Sequence, residues 1–266
     1  MSKKLKHLIN ILKNMKSAVL AYSGGVDSTF LLKAMQLADI KTLAITAVSK
    51  IRSPEDILNA RRFAEAAKVE HLEINTDELS IEEFVENTPK RCFICKDLLF
   101  KKLSDIAKTY NYMFILEASN QDDLKDYRPG RLAAEKYGIR SPLIEAEFSK
   151  KEIRAHSKKL GLSTWNLPSS SCLATRFPYY QRITTESLRK VLEAEDFLKS
   201  LGFQEIRLRE HGNIARIEVS VKKFQLFLSP QKRTLITKTL KSLGYSYITF
   251  DLDGYQSGSM NRNLKK

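Results

Sequence analysis

Short apolar runs alternate with amphipathic stretches through the first half of the chain, and that alternation predicts its architecture. Lys3 to Asn14 sets Leu5, Leu8, Ile9, Ile11 and Leu12 on one broad face at helical spacing. Ser17 to Tyr22 (Ser-Ala-Val-Leu-Ala-Tyr) is short and apolar throughout, as expected of a strand buried on both faces. Lys41 to Val48, Val69 to Ile74 and Tyr112 to Glu117 read as three further strands. Ser53-Pro54-Glu55-Asp56 predicts a helix start, with serine as cap and proline at the first helical position, and that helix should run to about Ala67. Strands separated by helical patterns predict βαβ units, hence an α/β fold with a parallel sheet whose ligands sit at the carboxyl ends of the strands.

The pattern changes after Gly161. Leu162 to Tyr180 is loop-like, with Pro168, Pro178, a serine run and Cys172. Thr184 to Leu201 then reads as a helix, Gln204 to Arg209 and Asn213 to Val219 as a strand pair around His211-Gly212, Gln231 to Leu243 as a helix and Tyr245 to Phe250 as a last strand. The expected organisation is a nucleotide-binding α/β domain over residues 1–165 and a smaller α+β domain with an antiparallel sheet over 166–266.

Composition narrows the functional classes. No apolar stretch approaches the roughly 20 residues of a membrane span, so a cytoplasmic protein without a membrane partner is expected. Three cysteines cannot all pair within one chain, which favours metal or redox chemistry over a disulfide scaffold. The formal charge of +14 suits either a nucleic-acid face or a site for a small polyanion. Lys222, Lys223, Lys232, Arg233, Lys238 and Lys241 lie in a stretch without acidic residues, and charge alone leaves open whether that face is solvated or binds anions.

The most informative stretch is Ser23-Gly24-Gly25-Val26-Asp27-Ser28, between the first strand and a helix that begins near Ser28. Two glycines let the backbone approach an anion, the serines add hydroxyl donors, and the helix directs its positive end at the same point. A Walker-type loop would end in Gly-Lys-Ser/Thr, and no lysine stands here. The run instead resembles the pyrophosphate loop (PP-loop) of the N-type ATP pyrophosphatases, which split ATP into AMP and pyrophosphate. Ser23, Gly24, Gly25 and Ser28 are the expected phosphate cradle, and Asp27 is the expected magnesium ligand.

Two more constellations carry chemistry. Cys92 and Cys95, three apart and flanked by Arg91 and Lys96, can present both sulfurs to one metal, and Cys172 would add a third thiolate. Zinc would want a fourth ligand, and His156 and His211 show no ligand-like spacing to the cysteines; three thiolates with one open position suit a 4Fe-4S cluster. Glu117 to Asp123 ends the fourth strand, where carboxylates such as Asp122 would either hold magnesium or cap a helix.

The run Ala118 to Gly130 is similar to the LarE family, ATP-dependent sulfur transferases that build the nickel-pincer nucleotide cofactor of lactate racemase. The likeness continues in Ile139-Arg140-Ser141-Pro142-Leu143, Lys151-Glu152-Ile153-Arg154, Gly161 to Trp165, Ser171 to Arg176, Arg207 to Gly212, Ala215 to Val219 and Gly254 to Asn261. The resemblance implies adenylation of a carboxylate on a pyridinium mononucleotide, release of pyrophosphate, and sulfur insertion to give a thiocarboxylate. One branch sacrifices the cysteine matching Cys172; the presence of Cys92 and Cys95 resembles the other, in which three cysteines hold a 4Fe-4S cluster. Ser49 and Arg128 complete the expected nucleotide contacts. Arg207 and Arg209, alternating on one strand face, are expected at the substrate with Arg176, Glu195 and Glu218. A homo-oligomer is expected, and nucleic acid is not an expected partner. The alternatives are a PP-loop tRNA thiolase carrying a cluster, which would bind tRNA with steep salt dependence, and a non-catalytic nucleotide- or metal-binding module, which would not turn over ATP.

Overall fold

The computed structural model describes every residue except 126–128, 169, 204, 257 and 265–266. Its elements up to the loop-like stretch are α1 (Lys3–Lys13), β1 (Ser17–Ala21), α2 (Val26–Leu37), β2 (Lys41–Val48), α3 (Pro54–Ala66), β3 (Glu70–Asn75), α4 (Glu82–Val85), α5 (Arg91–Thr109), β4 (Phe114–Leu116), α6 (Gly130–Lys136), α7 (Pro142–Glu145) and α8 (Lys150–Lys159). Then come α9 (Thr185–Ser200), β5 (Ile206–His211), β6 (Ile214–Val219), α10 (Gln225–Leu228), α11 (Pro230–Ser242) and β7 (Tyr247–Phe250). Among the described residues no helix is long and apolar enough to cross a membrane.

The chain divides into two compact units, Met1–Glu78 with Lys90–Ser170, and Leu79–Pro89 with Ser171–Lys266. In the first, four parallel strands pair in the order β3-β2-β1-β4. Alternation along β1 divides the core. Ala18 and Leu20 join Leu8, Phe30, Leu31 and Ile153 from α1, α2 and α8 and Phe148 just before α8, while Val19 joins Leu43, Ile45, Phe100 and Leu103 beside α5 and α6. Both faces are covered, as the apolar β1 requires, and burying a side chain the size of Phe30 contributes about 1.5–3 kcal/mol.

Sequence-readable caps place three of these helices. Ser2, Ser53 and Ser149 accept from the first-turn N–H groups of Leu5, Asp56 and Glu152, and Glu152 closes a capping box by accepting from the Ser149 N–H at 2.9 Å. The same carboxylate receives Lys4 Nζ at 2.7 Å, tying α1 to the start of α8. Lys4 and then Ser149 hold the Glu152 carboxyl at about 2, below its ordinary 4.5. A depressed carboxyl stabilises the fold above its unfolded value and loses that contribution as pH falls from about 4.5 through 2. The pair is half exposed, so the effect is at most about 1 kcal/mol. In melts recorded across that window, Lys4→Met should show a flatter fall of Tm with acid than the wild type.

The second unit contains the sheet β5-β6-β7. β5 and β6 form an antiparallel hairpin turning at Gly212, whose φ of +61° suits glycine. β7 pairs parallel to β6, so the sheet is mixed and not the antiparallel one the sequence predicts. The cause is the connection: two helices, α10 and α11, intervene between β6 and β7, and a crossover of that length permits parallel pairing. Residues 79–89 enter this unit from far upstream. Asn87 Nδ2 donates to the carbonyls of Pro178 (2.7 Å) and Gln181 (3.0 Å), and the Ile183 N–H donates to the Val85 carbonyl.

Candidate functional site

The pyrophosphate-loop residues lie where β1 ends. Gly24 has φ +73°, and a Cβ there would stand 2.6 Å from the Ala60 Cα, so both conformation and space demand glycine. Gly25 is extended at φ −77° and is the N-cap of α2. It has no side chain to cap with, and α2 lacks the side-chain cap that α1, α3 and α8 possess. The first N–H groups of α2 have no intrahelical acceptor, which is what an anion site needs. Ser23 Oγ and Ser28 Oγ are 3.0 Å apart, and Ser23 Oγ accepts from the Gly25 N–H at 3.3 Å.

Asp27, on the first turn of α2, is mostly buried; Lys150 Nζ reaches its Oδ2 at 2.5 Å. Its Oδ1 is buried with no partner among the described residues, a cost of about 1–3 kcal/mol for an oxygen left in this way. Burial raises the Asp27 pKa above its ordinary value and Lys150 only partly opposes this, so a second cation at Oδ1 fits the electrostatics. These residues therefore suit the magnesium ion expected with ATP. Asp122 does not offer the same oxygen pair: its Oδ2 accepts from the Lys150 N–H at 2.8 Å, capping α8. Glu117 is likewise engaged. Burial pushes its pKa up, but Lys96 Nζ at 2.9 Å with the Ser119 and Ser141 hydroxyls outweighs that and leaves it below the ordinary range. Sequence reasoning missed Lys150; the readable signal was Ser149-x-x-Glu152, which sets Lys150 at the first position of a boxed helix.

Cys92 and Cys95 occupy the first turn of α5, a helix the strand-centred reading did not assign, and at i and i+3 they share a face. Cys95 Sγ is 3.6 Å from Glu78 Oε1, and the buried Glu78 also accepts from Thr76 Oγ1 at 2.9 Å and from the Ser49 hydroxyl. Ser49, expected at the nucleotide, thus donates to Glu78, and Arg128 lies outside the described residues. Cys172 belongs to the second unit, at the head of the 3₁₀ turn Leu173–Arg176, and none of the three cysteines is in a disulfide. Among the described residues no three His, Cys, Asp or Glu side chains stand as a ready metal cage. The donor set itself, a Cys-x-x-Cys pair and a remote third thiol, suits a 4Fe-4S cluster with one open iron.

In the second unit the expected substrate residues converge, largely on each other. Arg176 meets Glu195 through two hydrogen bonds of 2.9 and 3.0 Å, and Arg209 Nε and Nη2 meet Glu218 Oε2 at 3.0 and 2.8 Å. All four are at least 95% buried, so the two ion pairs belong to the interior of this unit. Arg207 Nη1 donates to the Ile206 carbonyl at 2.8 Å. Its guanidinium lies over the Tyr255 ring, and burial, then the neighbouring Arg176 and Arg209 charges, depress its pKa. An anion is the ligand that relieves such crowding.

No protein-family model matches the chain. It is 39% identical over 99% of its length to an uncharacterised protein of Synechocystis sp., covering 98% of that relative. It is 32% identical over 95% of its length to an uncharacterised protein of Methanocaldococcus jannaschii, again covering 98%. It is 36% identical over 97% of its length to the pyridinium-3,5-bisthiocarboxylic acid mononucleotide synthase of Lactiplantibacillus plantarum, covering 94% of it. With a parallel sheet delivering Ser23–Ser28 to a helix start, and likeness running along nearly the whole of a synthase, the chain belongs to the LarE family of the PP-loop superfamily.

Proposed function

We propose that the protein is an ATP-dependent sulfur transferase that converts the carboxylates of pyridinium-3,5-biscarboxylic acid mononucleotide to thiocarboxylates, for the nickel-pincer nucleotide cofactor. The observation that carries the reading is the near-full-length likeness to a synthase whose name states that product. The loop geometry supports the ATP half of the reaction.

A carboxylate is a poor acyl donor because oxide would have to leave. Attack of its oxygen on the α-phosphorus of ATP breaks the bond to pyrophosphate and gives an acyl adenylate; sulfide then attacks the acyl carbon, forming C–S as the C–O bond to AMP breaks. In this chain Ser23, Gly24, Gly25, Ser28 and the open start of α2 hold the departing pyrophosphate, and Lys150 adds a positive charge beside Asp27. Arg207, within the frame made by Arg176–Glu195 and Arg209–Glu218, would hold a substrate phosphate or second carboxylate. When bound, magnesium on Asp27 would offset pyrophosphate charge, and a 4Fe-4S cluster on Cys92, Cys95 and Cys172 would supply a coordinated sulfide.

The test is anaerobic purification followed by incubation with ATP, magnesium, sulfide and the pyridinium biscarboxylate mononucleotide. Brown protein with iron-sulfur absorbance, AMP release matched to substrate, and thiocarboxylate in excess of enzyme are expected. Colourless protein that makes product while Cys172 becomes dehydroalanine would overturn the cluster and keep the reaction. Thiolation of tRNA in place of the mononucleotide would overturn the substrate.

A further inference from the structure

Tyr22 is where the chain leaves the sheet. Its N–H still donates to the Ile45 carbonyl at 2.8 Å, as a parallel ladder requires. In a regular ladder its carbonyl would next accept from a backbone N–H of β2. The Thr46 hydroxyl donates to it instead, at 2.9 Å. Thr46 is fully buried, and its one hydroxyl hydrogen is used in that bond, so it accepts from His71 Nε2 on β3 at 2.8 Å. A hydrogen-bonded relay thus runs from β3 through β2 to the peptide that enters the pyrophosphate loop. One residue on, Arg52 Nη2 donates to the Ser23 carbonyl at 2.9 Å.

A peptide unit is planar and trans, so its C=O and N–H point in opposite directions. Fixing the Tyr22 carbonyl fixes the Ser23 N–H, and fixing the Ser23 carbonyl fixes the Gly24 N–H. We propose that Thr46 and Arg52 are positioning residues of the phosphate loop, anchoring two successive carbonyls from behind so that the Ser23 and Gly24 N–H groups are held ready for the pyrophosphate of ATP. The inference rests on the ATP-dependent reading above. It gives a fully buried threonine a defined part in holding the leaving group. The donors are preorganised before ATP arrives, which is the condition under which they act most strongly on developing charge.

Thr46→Val keeps the shape and removes both hydrogen bonds; Thr46→Ser keeps the hydroxyl. The full-length protein is titrated calorimetrically with ATP and with inorganic pyrophosphate, both with magnesium, and melted in parallel. Thr46→Val should bind both about tenfold more weakly, the effect of losing one well-aligned bond at the site. Thr46→Ser should remain within about twofold of wild type, and Arg52→Met should show the same loss for pyrophosphate as Thr46→Val. Wild-type affinity in Thr46→Val, or a Thr46→Ser protein as weak as Thr46→Val, overturns the proposal and leaves the ATP reading intact. A wild-type chain that binds neither ATP nor pyrophosphate overturns that reading and the proposal with it.

Discussion

Gly24→Ala should lose AMP formation by at least about a hundredfold in kcat/KM for ATP, the scale of removing a single aligned donor from a charge-stabilising site. Two effects act together. At φ +73° an added Cβ costs about 1–2 kcal/mol of backbone strain. That Cβ would also sit 2.6 Å from Ala60 Cα and 2.8 Å from Ala60 N, and backbone atoms of α3 cannot swing aside as a side chain would. The loop must move, taking the Ser23 and Gly25 donors with it. Gly25→Ala is the internal control. Its φ of −77° suits any residue, and among the described residues an added Cβ meets Ser23 Oγ alone, at an ordinary 3.4 Å, so this variant should fold with an unchanged Tm. Measuring AMP release and melting for both variants decides the matter. A Gly24→Ala enzyme as active as wild type would show that the loop does not cradle the phosphates.

The contrast between the two glycines shows what was legible in the sequence. Periodicity placed β1, β2, α3 and α9 to within a residue or two, because burial on both faces of β1 or on one face of a helix dictates the pattern directly. Ser-Gly-Gly-Val-Asp-Ser identified the loop, since glycine at positive φ and an uncapped helix start are local properties. What escaped depends on partners distant in sequence. The part played by Thr46, within the strand Lys41–Val48, follows from the Tyr22 carbonyl and His71. The role of Lys150 exists only because α8 brings it to Asp27. Asn87 belongs with Pro178 and Gln181, about ninety residues later, and no local signal in 79–89 announces it. The arginines illustrate the same limit. Alternation put Arg207 and Arg209 on one face, but only the structure divides them, pairing Arg209 with a buried carboxylate and leaving Arg207 over an aromatic ring.

That division makes the second large prediction. Glu218→Gln should cut the hydrogen-exchange protection of the β5 and β6 amides by about 3–5 kcal/mol, the cost of stranding one partner of a buried ion pair. Glu218 is fully buried. Its Oε2 receives Arg209 Nε and Nη2, and its Oε1 receives Arg216 Nη2 at 3.0 Å and Ser259 Oγ at 3.1 Å. Glutamine preserves the volume and an acceptor but removes the charge, leaving the buried Arg209 guanidinium with neutral acceptors, the Thr175 carbonyl at 2.9 Å and Ser259 Oγ at 3.4 Å, and no counter-charge. Arg216 suffers less, because it is partly exposed and Asp251 lies 3.4 Å away. Adding Arg209→Met to Glu218→Gln removes the stranded charge, and the double variant should recover much of the lost protection, since an apolar replacement of the whole pair is close to neutral. A carboxylate that served only the substrate would behave differently: Glu218→Gln would keep its protection and raise KM for the mononucleotide. That outcome would refute the framing role and move Glu218 into the binding surface beside Arg207.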